Sequence, residues 1–282
     1  MNCAWNQFVR LLPNRIQEET DRLGRNALQE VRLRVGQQPV LVFAERNILL
    51  QTKLTEDDLR KTINFACQYS PWAAGTVSCG YITAPGGHRI GVFGRYSPHE
   101  HRGWSLQTPS MLNLRVCRDF IGIASKVKDI TGSILIIGPP GCGKTTLLRD
   151  LIRQRSNVIK GNVSVVDERE EIFPRAGAYL CFSSGDNTDV LSGCSKGEGI
   201  SWALRNMTPS AIAVDEITAE SDCLALMHAA WCGVDLIATA HAGSKNDLYS
   251  RTVYRPILQA GIFQTLLVMQ PDKRWDMERI SI

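Results

Sequence analysis

A glycine-rich segment carries the clearest chemical pattern in this sequence. Directly after the apolar run 134–137, the chain reads Gly138, Pro139, Pro140, Gly141, Cys142, Gly143, Lys144, Thr145 and Thr146. The glycines let backbone N–H groups turn toward phosphate oxygens, the lysine can reach the β- and γ-phosphates, and the Thr145 hydroxyl can bind Mg²⁺. The alternative is a glycine-rich turn without a ligand. Because a strand pattern precedes the segment and a helix pattern follows it, we expect all nine residues to bind ATP.

Two acidic residues follow another apolar run further along the chain. Asp215 and Glu216 come directly after residues 211–214. In phosphate-binding folds an Asp at this place holds the shell of Mg²⁺, and a Glu beside it can polarise a water molecule for attack on the γ-phosphate. The alternative is that the pair caps the next helix. In a chain with a phosphate loop we favour Asp215 as a metal ligand and Glu216 as the catalytic base.

Polar side chains also close the apolar run that begins at residue 236. Thr239 and His241 stand at its end and are candidates for sensing the γ-phosphate. A lone histidine more often makes structural hydrogen bonds, but the carboxyl ends of parallel strands are where open α/β sheets bind ligands. We therefore include His241 among the catalytic candidates.

A second acidic cluster follows the run 163–166. Asp167 and Glu168 begin it, and it either forms a solvated loop or adds a second acidic wall that positions water or Mg²⁺. We include Glu168 as a catalytic candidate. The additional strand at 163–166 and the glutamate after Asp215 favour the ATPase branch of phosphate-loop proteins over simple kinases and GTPases.

The elements that position these residues divide the chain near residue 120. Short apolar runs joined by helical patterns predict parallel strands in an α/β sheet with helices on both faces, a P-loop NTPase domain of RecA/ASCE type over residues 121–282. The strands are expected at 134–137, 163–166, 211–214, 236–239 and 266–269. Helical spacing near the N-terminus and several short strand patterns predict a smaller α+β domain over residues 1–120.

The composition restricts the class of protein. The chain has 282 residues, is 44% hydrophobic and 21% charged, and carries a net charge of +4. This balance is ordinary for a soluble globular protein, and the small net charge does not by itself argue for nucleic-acid binding, for which a concentrated basic face is expected. We find no apolar run of about eighteen uncharged residues, no signal-peptide core and no Cys-x-x-Cys among the nine cysteines. We therefore expect a cytoplasmic protein.

The sequence resembles a known family over about residues 80–245. The segments 203–217, 229–233 and 238–241 are similar to the approach to the acidic strand, the helix end and the histidine box of type II and type IV secretion ATPases. Within that superfamily, the chain resembles the stage III sporulation protein AA family most closely. The pieces that carry this resemblance lie at 87–91, 112–116, 138–146, 165–172, 189–199 and 215–217. The chain departs from the pattern at Thr218, where the family has Gly.

The resemblance implies an architecture and partners. Secretion motors are hexameric rings that bind ATP between an N-terminal domain and the ATPase core, so a homo-hexamer is implied here. The family implies a cytoplasmic ATPase held at the membrane by membrane-anchored channel proteins between mother cell and forespore. Arg89 and Arg115 become candidates for reaching the γ-phosphate, and Arg205 for the ring interface. For Arg95 and Arg118 we favour a solvent-facing structural role.

Three functions are compatible with the sequence. The first is a Mg²⁺-dependent motor ATPase that energises or assembles a sporulation channel. The second is a nucleic-acid-dependent ATPase, for which Arg102 with Trp104 and Arg274 with Trp275 are suggestive but isolated. The third is a small-molecule kinase, which would lack its expected cluster of lid arginines. The motor interpretation accounts for the most residues.

Overall fold

The chain folds into two compact units. The computed structural model describes residues 3–67, 77, 80–99, 103–127, 129–158, 160–176 and 178–280. The N-terminal unit comprises residues 1–119 and 174–182, and the C-terminal unit comprises residues 120–173 and 183–282. The chain therefore passes between the units at three places, after residues 119, 173 and 182.

The N-terminal unit combines helices with an antiparallel sheet, which is the expected α+β class. The helices are α1 (Trp5–Leu11), α2 (Asn14–Gly24) and α3 (Glu56–Cys67), and the strands are β1 (Glu30–Arg34), β2 (Val40–Val42), β3 (Asn47–Leu49), β4 (Tyr81–Ala84), β5 (His88–His99) and β6 (Gly103–Arg115). The strand order is β3-β2-β1-β6-β5-β4, with each neighbouring pair antiparallel. Alternating residues such as Val31 and Leu33 of β1 are buried in its core.

The hairpin of β5 and β6 is longer than the sequence predicts. Apolar runs favour strands only at 90–93 and 112–116, whereas residues 94–99 also pair with residues 103–109. The sequence of this outer part has no continuous apolar run, and only single side chains such as Leu106 and Pro109 pack against the core or are buried, so hydrophobic alternation does not reveal it.

His88 connects separate parts of the N-terminal unit. Its Nε2–H donates to the carbonyl oxygen of Ala4 at 3.1 Å, and its Nδ1 accepts from the backbone N–H of Cys117 at 3.1 Å. The ring also meets the ring of Phe8 edge-on, with 5.0 Å between the centroids. Burial is the main cause that lowers the pKa of His88 to about 4, and the nearby charge of Arg118 lowers it further. The folded unit therefore holds a neutral histidine.

This histidine predicts an acid-sensitive stability. Its pKa is lower in the folded state than in the unfolded chain, so its contribution is complete above about pH 6.5 and is lost as the pH falls toward about 4. Between about pH 7 and pH 5 the free energy of unfolding should fall by about 2 kcal/mol more in the native chain than in His88→Gln. Urea unfolding followed by circular dichroism measures this difference. The exposed His228→Gln is the control and should keep the native pH dependence; equal pH dependence in all three proteins would contradict the assignment.

The C-terminal unit is an α/β fold built on a parallel sheet, as the sequence predicts. Its first elements are β7 (Ile134–Ile137), α4 (Lys144–Val158) and β8 (Val163–Asp167). The hairpin β9 (Arg175–Ala176) and β10 (Tyr179–Leu180) then belongs to the N-terminal unit. The remaining elements are β11 (Thr188–Ser192), α5 (Lys196–Asn206), β12 (Ala211–Ile217), α6 (Glu220–Trp231), β13 (Asp235–Ala240), α7 (Lys245–Ser250), α8 (Arg255–Gln259), β14 (Thr265–Met269) and β15 (Trp275–Arg279).

The strand order places the ligand-binding strand ends next to one another. The sheet runs β11-β8-β12-β13-β7-β14-β15, and its first six strands are parallel while β15 is antiparallel to β14. The five strands that the sequence predicted are confirmed, and the edge strands β11 and β15 are additional. In the described part of the chain no helix has both the length and the apolar character needed to cross a membrane.

Candidate nucleotide-binding and hydrolysis site

The phosphate loop connects β7 to α4 and is shaped by three glycines. Gly141 and Gly143 have φ values of +76° and +99°, which residues other than glycine rarely adopt. Gly138 has an ordinary φ, but a Cβ there would lie 2.6 Å from Sγ of Cys142 and 2.9 Å from the carbonyl oxygen of Met269. The sequence pattern therefore has a steric cause at each glycine. The buried Cys142 fills the space beneath the loop.

Lys144 is the first residue of α4 and points back into the loop. Its Nζ donates to the carbonyl oxygens of Gly138 and Pro139, each at 3.0 Å, and lies 3.2 Å from Nδ1 of His241. The side chain is buried. Because an ammonium group has only donors, these three acceptors fix the lysine charge at the mouth of the loop.

Asp215 is the centre of the site. Thr145, one residue after Lys144, donates its hydroxyl to Oδ2 of Asp215 at 2.6 Å, and the Thr239 hydroxyl at the end of β13 donates to Oδ1. Burial is the largest influence and raises the pKa of Asp215, while the two hydroxyl groups act in the opposite direction. Since β13 lies between β12 and β7, the sheet order itself brings these three side chains together.

Glu216 is held in an unusual backbone conformation beside this centre. Its φ is +49°, and the pairing of β12 with β13 shifts between Val214 and Ile217. A non-glycine residue in this region carries strain that its surroundings must offset. The Glu216 N–H donates to the Thr239 hydroxyl at 2.8 Å, and Oε1 lies 3.0 Å from Nε2 of His241. The bulge thus turns the carboxylate toward His241 instead of toward the next helix.

The second acidic segment has a different local role for each of its first two residues. The buried carboxylate of Asp167 accepts the N–H groups of Glu171, Ile172 and Phe173 at 2.9, 3.0 and 2.7 Å. Burial is the main cause that raises the pKa of Asp167 to about 6, against the lowering effect of these N–H groups. Asp167 therefore organises the turn after β8, whereas Glu168 faces the cleft.

Lys196 is a cation in this acidic cleft that we did not select from the sequence. Its Nζ lies 2.9 Å from Oε2 of Glu168 and 3.8 Å from Asp222, and the side chain is largely buried. The cleft is also lined by Asp215 and Glu216. The sequence contains one signal for this role of Lys196. It directly follows the helix cap Ser195, and the helix dipole disfavours a cation at this end of a helix.

The arginines expected to reach the γ-phosphate belong to the N-terminal unit, whereas the convergent side chains belong to the C-terminal unit. Arg89 and Arg115 face each other across β5 and β6. Nε of Arg115 lies 3.5 Å from Glu30, and the Arg89 guanidinium lies 4.7 Å from the ring centre of Tyr81. Their role at a phosphate stays a prediction.

The other three arginines are placed as follows. Arg118 donates to the carbonyl oxygens of Arg25 and Leu28, which is a structural arrangement. Arg95 and Arg205 are exposed on β5 and α5.

A glycine-rich loop between a parallel strand and a helix, with Asp215 at the end of β12 two strands away in the sheet, defines a P-loop fold. The Legionella pneumophila ATPase DotB superposes with a TM-score of 0.58 at 18% identity, covering 95% of this chain and 80% of DotB. The pilus retraction motor PilT with bound ADP gives a TM-score of 0.64 at 16% identity, covering 90% and 77% of the two chains. Likeness at these identities establishes the fold.

Sequence comparison gives the family. The family model described as "Sporulation stage III, protein AA" matches residues 5–278. Stage III sporulation protein AA of Bacillus subtilis (strain 168) is 30% identical over 281 residues, which is 95% of this chain and 92% of that protein. The chain belongs to this family, as the resemblance indicated. The uncharacterized protein ycf45 of Cyanidium caldarium is 36% identical over 146 residues, covering 49% of this chain and 42% of ycf45.

Thr239 allows a direct test of the hydrogen bonds at the centre of the site. Thr239→Val keeps the shape of this fully buried side chain but removes the donor to Asp215 and the acceptor of the Glu216 N–H. We expect a loss of about 1–3 kcal/mol in the free energy of unfolding. Urea unfolding measures it.

The matched control is Thr20→Val. Thr20 is also fully buried, but its hydroxyl has no hydrogen-bond partner in the described part of the chain. This change should be neutral or stabilising. Similar losses in both variants would show that the hydrogen bonds of Thr239 contribute little.

Proposed function

We propose that this chain is an ATPase that binds ATP with Mg²⁺ at the phosphate loop and hydrolyses it to ADP and phosphate. One observation carries the proposal: the ends of three adjacent parallel strands bring Lys144, Thr145, Asp215, Glu216 and His241 into one hydrogen-bonded group. A cation for phosphate, oxygen ligands for a hard metal and a carboxylate for water meet there, as phosphoryl transfer requires.

The donor set fits Mg²⁺. Thr145 and Asp215 offer a hydroxyl and a carboxylate oxygen that already lie 2.6 Å apart. Mg²⁺ prefers oxygen ligands and is usually held by one or two side chains, with water and substrate phosphates completing its shell. Within the described residues no group of three or more His, Cys, Asp or Glu side chains could hold a metal. Bound Mg²⁺ would neutralise charge on the β- and γ-phosphates.

Each side chain has a defined task in hydrolysis. Lys144 exchanges loop carbonyl partners for phosphate oxygens, and Glu216 accepts a proton from the water that attacks the γ-phosphorus, while ADP leaves. His241 orients Glu216 through the 3.0 Å contact, and Thr239 fixes Asp215. Glu168, paired with Lys196, forms the outer acidic wall.

Family membership and fold both support a cellular role in sporulation. Membership in the sporulation stage III protein AA family and the fold shared with DotB and PilT support a motor that works with membrane proteins of the sporulation channel. We propose a homo-hexamer on the cytoplasmic side of that channel, in which Arg89 and Arg115 reach the γ-phosphate in the same subunit or in a neighbour. The fold's known use in a pilus retraction motor supports this assignment.

The nucleic-acid alternative gains no support from the residues that suggested it. The guanidinium of Arg274 is paired with Asp272 at 2.6 Å, next to the partly buried Trp275. Arg102 and the side chain of Trp104 lie outside the described residues.

Removal of the proposed base should separate binding from hydrolysis. We expect Glu216→Gln to lower the rate of ATP hydrolysis at least about 100-fold, because general base catalysis typically contributes that much, while ATP affinity stays near the native value. Phosphate release and titration with a fluorescent ATP analogue measure the two quantities. Glu220→Gln, the same change at an exposed position in the first turn of α6, is the control and should keep the native rate. Native hydrolysis by Glu216→Gln would exclude this residue as the base.

The hexamer can be tested with the same variant. Because Glu216→Gln should trap ATP, we expect size-exclusion chromatography with light scattering to show a six-copy assembly that forms or tightens with ATP and Mg²⁺. A monomer under all conditions, for native chain and variant alike, would contradict the ring.

A further inference from the structure

The first passage of the chain between the two units is hydrogen-bonded to α4, the helix that follows the phosphate loop. The chain enters the C-terminal unit at residue 120, and the N–H groups of Gly122 and Ala124 both donate to the carboxylate of Asp150, at 3.1 and 2.8 Å. Asp150 lies in α4 and is fully buried. It therefore fixes the direction in which the chain arrives.

The second passage is hydrogen-bonded to the same helix. The chain leaves the C-terminal unit after residue 173. Just before this point Arg149, the neighbour of Asp150 in α4, donates Nε–H to the carbonyl oxygen of Ile172 and a terminal N–H to that of Glu171 at 2.8 Å. The opposite side of this turn is held by Asp167, so its backbone is fixed from both sides.

The third passage completes the set. The chain returns to the C-terminal unit at Ser183, and its carbonyl oxygen accepts Nε–H of Arg153 at 2.8 Å. Arg153 also donates to Asp150 at 2.7 Å, so this ion pair connects the contact that holds the third passage with the contact that holds the first. All three passages are thus held by a cluster of buried charged residues on one stretch of α4, Arg149, Asp150 and Arg153, of which Asp150 and Arg153 form an ion pair.

A cluster of this kind is not needed for stability alone. Buried ion pairs are often replaced by apolar side chains without loss of stability, because desolvation offsets much of their attraction. Hydrogen bonds, however, fix direction, which apolar packing does not. The helix begins at Lys144 and rises about 1.5 Å per residue, so the cluster stands about 8–14 Å along a rigid rod from the proposed phosphate contact.

We propose that Asp150 is a positioning residue that couples nucleotide at the phosphate loop to the N-terminal unit, together with the other two residues of the cluster, Arg149 and Arg153. This inference rests on the proposed function. When Lys144 binds phosphate, a shift of α4 displaces all three passages together, because each of them is hydrogen-bonded to this helix. The N-terminal unit then responds to nucleotide through α4, in addition to any contact of its arginines with phosphate.

Hydrogen–deuterium exchange of the full chain, with and without a non-hydrolysable ATP analogue and Mg²⁺, tests the coupling. In the native chain the analogue should slow exchange in peptides of the phosphate loop and change exchange in peptides of the N-terminal unit. In Asp150→Asn, whose amide cannot accept both linker N–H groups and Arg153, the loop response should remain and the N-terminal response should fall to about a quarter or less. In ATP hydrolysis kcat should fall about tenfold while KM changes less than about twofold.

The control and a second variant keep the test decisive. Arg155→Lys alters an equally buried arginine of α4 that bonds Ile130 and Asp235, away from the three passages, and should keep both exchange responses. Arg153→Lys, which keeps the buried charge but cannot reach both Ser183 and Asp150, should behave like Asp150→Asn and replaces it if that variant does not fold.

The outcomes separate the two levels of the proposal. No loop response in the native chain would overturn the proposed nucleotide binding itself. A loop response without an N-terminal response in the native chain, or a full N-terminal response in Asp150→Asn or Arg153→Lys, would overturn only the coupling. Loss of the N-terminal response in Arg155→Lys would also overturn it, since the effect would then not depend on the passages.

Discussion

The partly buried carboxylate of Asp215 ties together three elements of the C-terminal unit. An acid removed from water is unfavourable unless donors surround it, and its donors here are the hydroxyls of Thr145 and Thr239. Thr145 lies at the start of the helix after β7, and Thr239 lies at the end of β13. Both hydroxyls can reach Asp215 of β12 only if β12, β13 and β7 end at the same level of the sheet. The same requirement accounts for the strained backbone of Glu216, whose N–H completes the group by donating to Thr239.

Similar buried polar groups organise the irregular segments elsewhere in the chain. Asp167 holds the turn after β8 through three N–H groups, Asp150 holds the linker before β7 through two, and His88 joins Ala4 to Cys117. Apolar burial drives the strands and helices together, but it has no direction, and loops have backbone groups that must find partners. Charged and polar side chains inside the protein supply that direction at the points where regular structure stops.

Sequence reasoning succeeded where the signal is local. The continuous apolar runs of the central strands and the glycine pattern of the phosphate loop depend on neighbouring residues only, and both are confirmed by the fold. Sequence reasoning failed where interacting residues are distant in the sequence or where a strand has no well-buried face. The edge strand β11 is only partly buried, the outer part of the β5–β6 hairpin has no continuous apolar run, and Lys196 contacts Glu168, which lies 28 positions away in the sequence. The grouping of 174–182 with the N-terminal unit has no local sequence signal at all.

The proton on His241 follows from its neighbours and links two parts of the site. Nδ1 lies 3.2 Å from the ammonium group of Lys144, which can only donate, so Nδ1 must be the acceptor. A neutral ring then carries its proton on Nε2 and donates it to Oε1 of Glu216 at 3.0 Å. One tautomer therefore satisfies both contacts, and it ties the orientation of Glu216 to the position of Lys144. When Lys144 turns toward phosphate, Nδ1 of His241 loses this donor and can accept a hydrogen bond from water instead. In the proposed reaction the orientation of the carboxylate that activates water therefore depends on the lysine that binds the triphosphate.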